Sequence, residues 1–124
     1  MNREQALYYP IDTSWGKLHL HINYEDGRIT KVFLNMPPIG TELSMMAQLT
    51  GILITKYAEI GGDPLNLVKH LQSIKFGTPS FYAGNQIDSI PHAIAFCMKK
   101  TAEDVGIKEE KNSDVVLETA GSET

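Results

Sequence analysis

The sequence predicts an α+β domain in which an antiparallel β-hairpin, or small sheet, is followed by two to three packed α-helices. Three observations predict it. Residues 17–24 alternate in character and turn back through Asp26-Gly27. Residues 44–60 then carry apolar side chains at helical spacing. Finally, Gly61 to Lys100 reads as a capped helix, a loop and a second helix entered through Ser89-Ile90-Pro91. The resulting organisation is an extended N-terminal arm over 1–14, one α+β domain over 15–104 and an acidic tail over 105–124.

The arm reads as irregular, because Tyr8, Tyr9 and Pro10 favour extended chain over helix. In the first strand Leu18, Leu20, Ile22 and Tyr24 share one face and Lys17, His19, His21 and Asn23 the other. Asp-Gly between alternating runs is a hairpin signal, and residues 29–36 form the return strand. That strand has apolar side chains on both faces, so the hairpin is expected to pair with more than its own helix. Pro37 and Pro38 end it, since neither can donate to a ladder. Thr41 or Ser44 caps the next helix, in which Met45, Met46, Leu49, Ile52, Leu53, Tyr57 and Ile60 form a wide apolar stripe. Gly51 within it costs about 1 kcal/mol against Ala, which points to close packing.

Gly61-Gly62 suits a helix C-cap. Asp63 is an N-cap with Pro64 at the first helical position, and Leu65, Val68, Leu71 and Ile74 recur at helical spacing. A Gly-, Ser- and aromatic-rich loop follows. The last helix presents Ile90, Ile94, Cys97 and Met98 as its apolar face. Beyond Val105-Gly106 periodicity gives way to acid, and Val115-Val116-Leu117 is a candidate edge strand.

Residues 1–100 hold nine Lys/Arg against eight acids, and residues 101–124 hold two Lys against seven. A near-neutral body excludes the basic face that duplex nucleic acid requires. No run of about 18 apolar residues exists to span a membrane, and the N-terminus lacks a signal core, so the expected location is the cytoplasm. The single cysteine, Cys97, allows no internal disulfide and reads as a buried, inert thiol.

The sequence contains no nucleophile elbow, phosphate-cradling loop, paired-carboxylate site or metal motif. No catalytic residue, metal or cofactor is therefore assigned. His19 and His21 point the same way from one strand, but no third ligand stands at a motif spacing, so a solvated strand face is the better reading. His70 lies on the polar side of its helix. His92, in the first turn of the last helix, is placed to contact a ligand. The segment Lys75 to Gln86 combines Phe76, Phe81 and Tyr82 with Thr78, Ser80 and Asn85, the groups needed to stack a base and hydrogen-bond a phosphate or ribose. The competing reading is that its aromatics plug the core. Arg28, after the hairpin turn, can grip a phosphate bidentately or be a solvated turn residue. Trp15 is a core aromatic or the lid of a stacking pocket.

The order of an Asp-Gly hairpin, Val32-Phe33-Leu34-Asn35, a helix, Gly61-Gly62-Asp63-Pro64-Leu65-Asn66-Leu67-Val68-Lys69-His70-Leu71 and Ser89-Ile90-Pro91-His92-Ala93-Ile94-Ala95 resembles a known domain. It is the one found near the C-terminus of adenosylcobalamin-dependent, class II, ribonucleotide reductases and also free-standing. The resemblance covers residues 15–100 and is most specific from Asp63 to Ala95. The chain departs from that family at Lys75-Phe76-Gly77 and Ser89-Ile90, where cysteines are expected, and at His92, where Asp is usual. It has no barrel, radical machinery or room for cobalamin, so ribonucleotide reduction is excluded.

As a small stand-alone protein it is also similar to the first family of phage anti-Thoeris proteins. These sequester a cyclic ADP-ribose isomer made by the host's TIR-domain enzyme. They are oligomers built from dimers that hold the nucleotide at subunit interfaces without cleaving it, and some hold cyclic oligonucleotides at separate sites. That resemblance implies that Trp15 with Phe81 or Tyr82 sandwiches adenine. Thr78, Ser80 and Asn85 would contact ribose and phosphate, and Arg28 would face phosphates. Two other readings remain: a structural or regulatory domain acting through a protein partner, and a small hydrolase or deaminase.

Overall fold

A computed structural model describes residues 4–110. Its elements are β1 (Gln5–Thr13), β2 (Gly16–Glu25), β3 (Arg28–Asn35), α1 (Glu42–Glu59), a 3-10 turn (Pro64–Leu67) running into α2 (Val68–Leu71), β4 (Ser80–Tyr82), β5 (Asn85–Ile87) and α3 (Ile90–Val105). The class is α+β, with an antiparallel sheet in the order β1-β2-β3 and a separate β4-β5 hairpin. The acidic tail from residue 111 on, including Val115-Val116-Leu117, lies outside the described residues.

The segment read as an irregular arm is β1, paired with β2 along its whole length from Gln5 opposite Tyr24 to Thr13 opposite Gly16. Pro10 does not forbid this, because β1 is an edge strand and a missing ladder donor can face outward. The Asp26-Gly27 turn forms as expected, with Asp26 at φ 52 and Gly27 at φ 77, the left-handed pair that a two-residue hairpin requires. One bulge near Asn23 and Tyr24 shifts the register, so that Lys31 faces Asn23 while Ile29 faces Tyr24. Leu18, Leu20, Ile22, Val32, Leu34, Ile29, Tyr9 and Ile11 thereby share the inner face and are buried.

The last helix covers that face through Ile90, Ile94, Cys97 and Met98, with Ala93, Ala95 and Thr101. Ser89 caps it, accepting from the His92 N–H at 3.1 Å, and Pro91 sits in its first turn. Tyr9 and Thr101 join hydroxyls at 2.7 Å, tying β1 to the helix beneath it. Gly106, at φ 76, closes α3, and Ile107 tucks back into the core.

The first helix takes a different place. It packs on β3 through Ser44, Ala47, Gly51 and Ile54. The Thr55 hydroxyl accepts from the Val32 N–H at 3.0 Å and donates to the Val32 carbonyl at 3.2 Å. The helix thus satisfies the open edge of the sheet instead of lying on its face. Thr41 is the cap, accepting from the Ser44 N–H at 3.1 Å, while Ser44 is buried. Gly61 at φ 101 and the Gly62 N–H bonded to the Tyr57 carbonyl at 2.9 Å end it in a Schellman turn.

The helix expected from Asp63 is shorter than the pattern implied. Leu65 and Val68 are buried and Leu71 packs at the margin, but Ile74 is 44% exposed and outside any helix. Asp63 caps the 3-10 turn through the Leu65 N–H at 3.0 Å, and its other oxygen accepts from the Glu110 N–H at 2.7 Å. This fully buried carboxylate therefore ties the turn after α1 to the chain after α3.

A Cβ on Gly51 would lie 2.8 Å from both the Val32 carbonyl oxygen and Leu34 Cδ1. Helix propensity alone predicts that Gly51→Ala stabilises by about 1 kcal/mol. Because the obstructing atom is backbone, the expected result is the opposite: a loss of about 1–3 kcal/mol in denaturant unfolding.

Candidate functional site

Two contacts hold the base of the 75–88 loop. Ser89 Oγ donates to the Ile74 carbonyl at 2.6 Å, and the Phe76 N–H donates to the Asp88 carbonyl at 2.8 Å. At the far side Ser14, in the β1–β2 turn, bonds the loop twice. Its N–H donates to Ser80 Oγ at 2.6 Å and its hydroxyl donates to the Thr78 carbonyl at 2.8 Å. The loop is not irregular throughout. Residues 80–87 form the β4-β5 hairpin, turned through Ala83 at φ 51 and Gly84 at φ 79.

Trp15 is half-buried and tilted against Phe76, with ring centroids 6.1 Å apart. Gly77, at φ 62, lies under the indole, and a Cβ there would come 3.3 Å from Trp15 Nε1. Thr78 is exposed. Ser80 is buried, and its hydroxyl accepts from the Ser14 N–H and donates to Ser14 Oγ at 3.3 Å, so it works as a fastener of the loop. Phe81 is 67% exposed. Tyr82 leaves β4 on the other face and meets Phe96 of α3 edge-on at 5.9 Å. Burial raises the Tyr82 phenol above its usual range, with Cys97 a smaller cause. Asn85 is exposed and donates to the Ala83 carbonyl at 3.0 Å across the turn.

His92 is held by the loop. Its Nδ1 accepts from the Asp88 backbone N–H at 3.0 Å and stands 3.7 Å from the Asp88 carboxylate, which also accepts from the Gln86 amide at 2.7 Å. A backbone N–H can only donate, so Nδ1 carries no proton in this arrangement and Nε2 carries the ring's N–H. Phe96 sits one turn further along the same helix. The sequence reading missed Phe96, Ser14 and Asp88. Ile90-Ile94-Cys97 marks the buried side of α3, and Phe96 falls just off it, a signal that was present but weak.

Arg28 does not join this group. It lies at the opposite end of β2, about 30 Å from Trp15 at the rise of a strand. There its guanidinium donates to the Gly61 carbonyl at 3.2 Å and stands 3.6 Å from the Glu110 carboxylate. It lines a cavity of about 260 Å³ with Ile29, Thr30, Lys31, Ala58, Glu59 and Gly62. A larger cavity, about 620 Å³, opens between α2 and α3 among Leu65, Lys69, His70, Lys99, Glu103 and Ile107, and no residue of the 75–88 loop lines it.

His19 and His21 are on the outer sheet face with Tyr8. The Tyr8 hydroxyl meets His19 Nδ1 at 2.5 Å and its ring stacks on His21 at 4.7 Å, so the pair serves a cross-strand aromatic cluster. Cys97 is buried, and the loss of hydration pushes its thiol up to about 12.

The sequence profile of the TSCPD domain matches residues 2–102. The chain belongs to the TSCPD family. This is the domain found at the C-terminus of class II ribonucleotide reductases, which accords with the resemblance read from residues 15–100. No curated protein and no solved structure matches the chain significantly. In this TSCPD domain Ser89 and Ile90 occupy the entry to α3 as cap and core residue, and His92 faces the loop from its first turn.

Two outcomes follow from this packing. Ser89→Ala removes the α3 cap and the bond to Ile74 together, and is expected to lower stability by about 1–2 kcal/mol in thermal unfolding while raising amide exchange across 75–88. The Cys97 thiol stays protonated when folded and ionises near its ordinary value when unfolded. Stability is therefore lost as pH rises from about 9 towards 12, and a thiol reagent at pH 8 is expected to label Cys97 only on unfolding.

Proposed function

We propose that this TSCPD domain is a phage-encoded binding protein. It sequesters a cyclic nucleotide immune signal, a cyclic ADP-ribose isomer with cyclic oligonucleotides as further candidates, and thereby blocks host defence in the host cytoplasm without degrading the ligand. The observation that carries this reading is the pinned 75–88 loop. It presents the exposed ring of Phe81, the tilted Trp15–Phe76 pair and the exposed side chains of Thr78 and Asn85 from a loop fastened at Ser14 and Ser89. Aromatic surface on a rigid support is what base stacking needs, and little ordering is left to oppose binding. The inert Cys97 fits retention over covalent chemistry.

In this proposal Trp15 with Phe81 or Tyr82 holds the adenine, and Thr78, Asn85 and His92 contact ribose and phosphate. Ser80 positions the loop from beneath. Arg28 is about 30 Å from Trp15 within one chain, so a ligand touching both would have to lie between protomers of a homo-oligomer. The second reading is a free-standing regulatory domain acting through a protein partner. Family membership favours this second reading, because the same domain occurs as one part of a larger enzyme.

The test is to incubate the purified full chain with the cyclic ADP-ribose isomer, remove free ligand, heat-denature and analyse what is released. Near-stoichiometric intact nucleotide is expected. Phe81→Ala should weaken binding by about 5- to 150-fold, the value of one stacked base, with unchanged thermal unfolding. Altered nucleotide would identify an enzyme instead. A chain that retains nothing defeats the sequestration reading and leaves the protein-partner reading standing.

A further inference from the structure

The outward arc of α1 is apolar, unpartnered among the described residues and symmetric. Met45, Met46, Leu49, Ile52 and Leu53 are 43–59% exposed. At 3.6 residues per turn they fall within about 120°, centred on Leu49 and opposite the seam of Ser44, Ala47, Gly51 and Ile54 that meets β3. Their spacing reads the same in both directions from Leu49. Met46 and Ile52 stand three residues on either side, and Met45 and Leu53 stand four. Glu42 and Lys56 stand seven, one acid and one base, both exposed.

We propose that this arc is a two-fold interface on which α1 packs antiparallel against the α1 of a second copy, with the axis through Leu49. That register sets Leu49 on its own counterpart, Met45 beside the second copy's Leu53 and Met46 beside its Ile52. Glu42 then lies opposite Lys56 at both ends. Lys56 already pairs with Glu59 at 3.1 Å and keeps further N–H donors for the second acid. A two-fold contact must be self-complementary, and a palindromic row of apolar groups with opposite charges at its ends meets that condition. The antiparallel arrangement also opposes the helix dipoles, whereas a parallel pair would align Glu42 with Glu42. The small and buried side of the helix is occupied by β3, so the arc is the side left for a neighbour.

The helix is about 27 Å long, and two such helices pack 8–10 Å apart. This footprint is at the small end of specific interfaces, so association is expected to depend on concentration. A membrane surface is a poorer occupant, because the arc is flanked by Glu42 and Glu59 and carries only one lysine. An unrelated peptide gives no reason for the symmetry. The inference is independent of nucleotide binding and survives if that reading fails.

The experiment is sedimentation velocity on the full chain over a range of concentrations. A mass above the 13.8 kDa monomer is expected, with Leu49→Lys and Leu53→Lys each reversing the contact while leaving thermal unfolding cooperative. Glu42→Lys and Lys56→Glu are each expected to weaken association, and the double exchange to restore it. Leu49→Cys should cross-link to itself under mild oxidation, with Cys97 buried and silent. A chain that is monomeric at every concentration overturns the proposal. So does an assembly indifferent to Leu49→Lys, and a charge exchange that fails to restore association overturns the antiparallel register.

Discussion

A single hydroxyl decides how this domain is layered. Thr55 holds both the N–H and the carbonyl of Val32, which as part of an edge strand would otherwise stand open. Because the bond is made to backbone, α1 must run beside β3 at close range, and only glycine at position 51 allows it. The inner face of the sheet is then left for α3. A three-stranded sheet has two faces and two edges, and here one face goes to α3 and the β3 edge to α1. The β1 edge, the outer sheet face with Tyr8, His21 and Phe33, and the outward side of α1 are what remain.

The loop that carries the candidate site depends on the same economy of parts. Ser14 belongs to the turn between β1 and β2, and Ser89 starts the helix that covers the sheet. Each fastens the loop as a by-product of its local role, so the loop inherits the rigidity of the sheet and of α3. Ser80 illustrates how a residue typical of ligand contact can serve the scaffold: its oxygen is shared entirely with Ser14. Asp63 does the equivalent at the other end of the domain, joining the turn after α1 to the chain after α3.

The TSCPD match spans the sheet and nearly all of α3, and at the entry to α3 the side chains present are set to local structural tasks. With Ser89, Ile90 and His92 in place, the turn presents a cap, a core residue and an imidazole whose tautomer is fixed by Asp88. The Ser-Ile-Pro-His run therefore reads as an element of loop placement.

Much of the fold was legible because it rests on local rules. The Asp26-Gly27 turn, the alternation through Leu18, Leu20 and Ile22, the capping of α1 and α3 and the close packing at Gly51 follow from backbone preference and side-chain period. The pairing of β1 was not, since Tyr8, Tyr9 and Pro10 carry no alternation strong enough to outweigh a proline, and only β2 makes them a strand. Residues 80–87 hid a hairpin for the same reason: three-residue strands have no period to read. At the site, the sequence named Trp15, Phe81 and Tyr82 by type. The tertiary structure decided that Phe81 and Tyr82 diverge, that Ser80 is a fastener and that Arg28 stands at the far end of β2. Residue type sets what a side chain can do, whereas distance and direction come from packing between segments far apart in the chain.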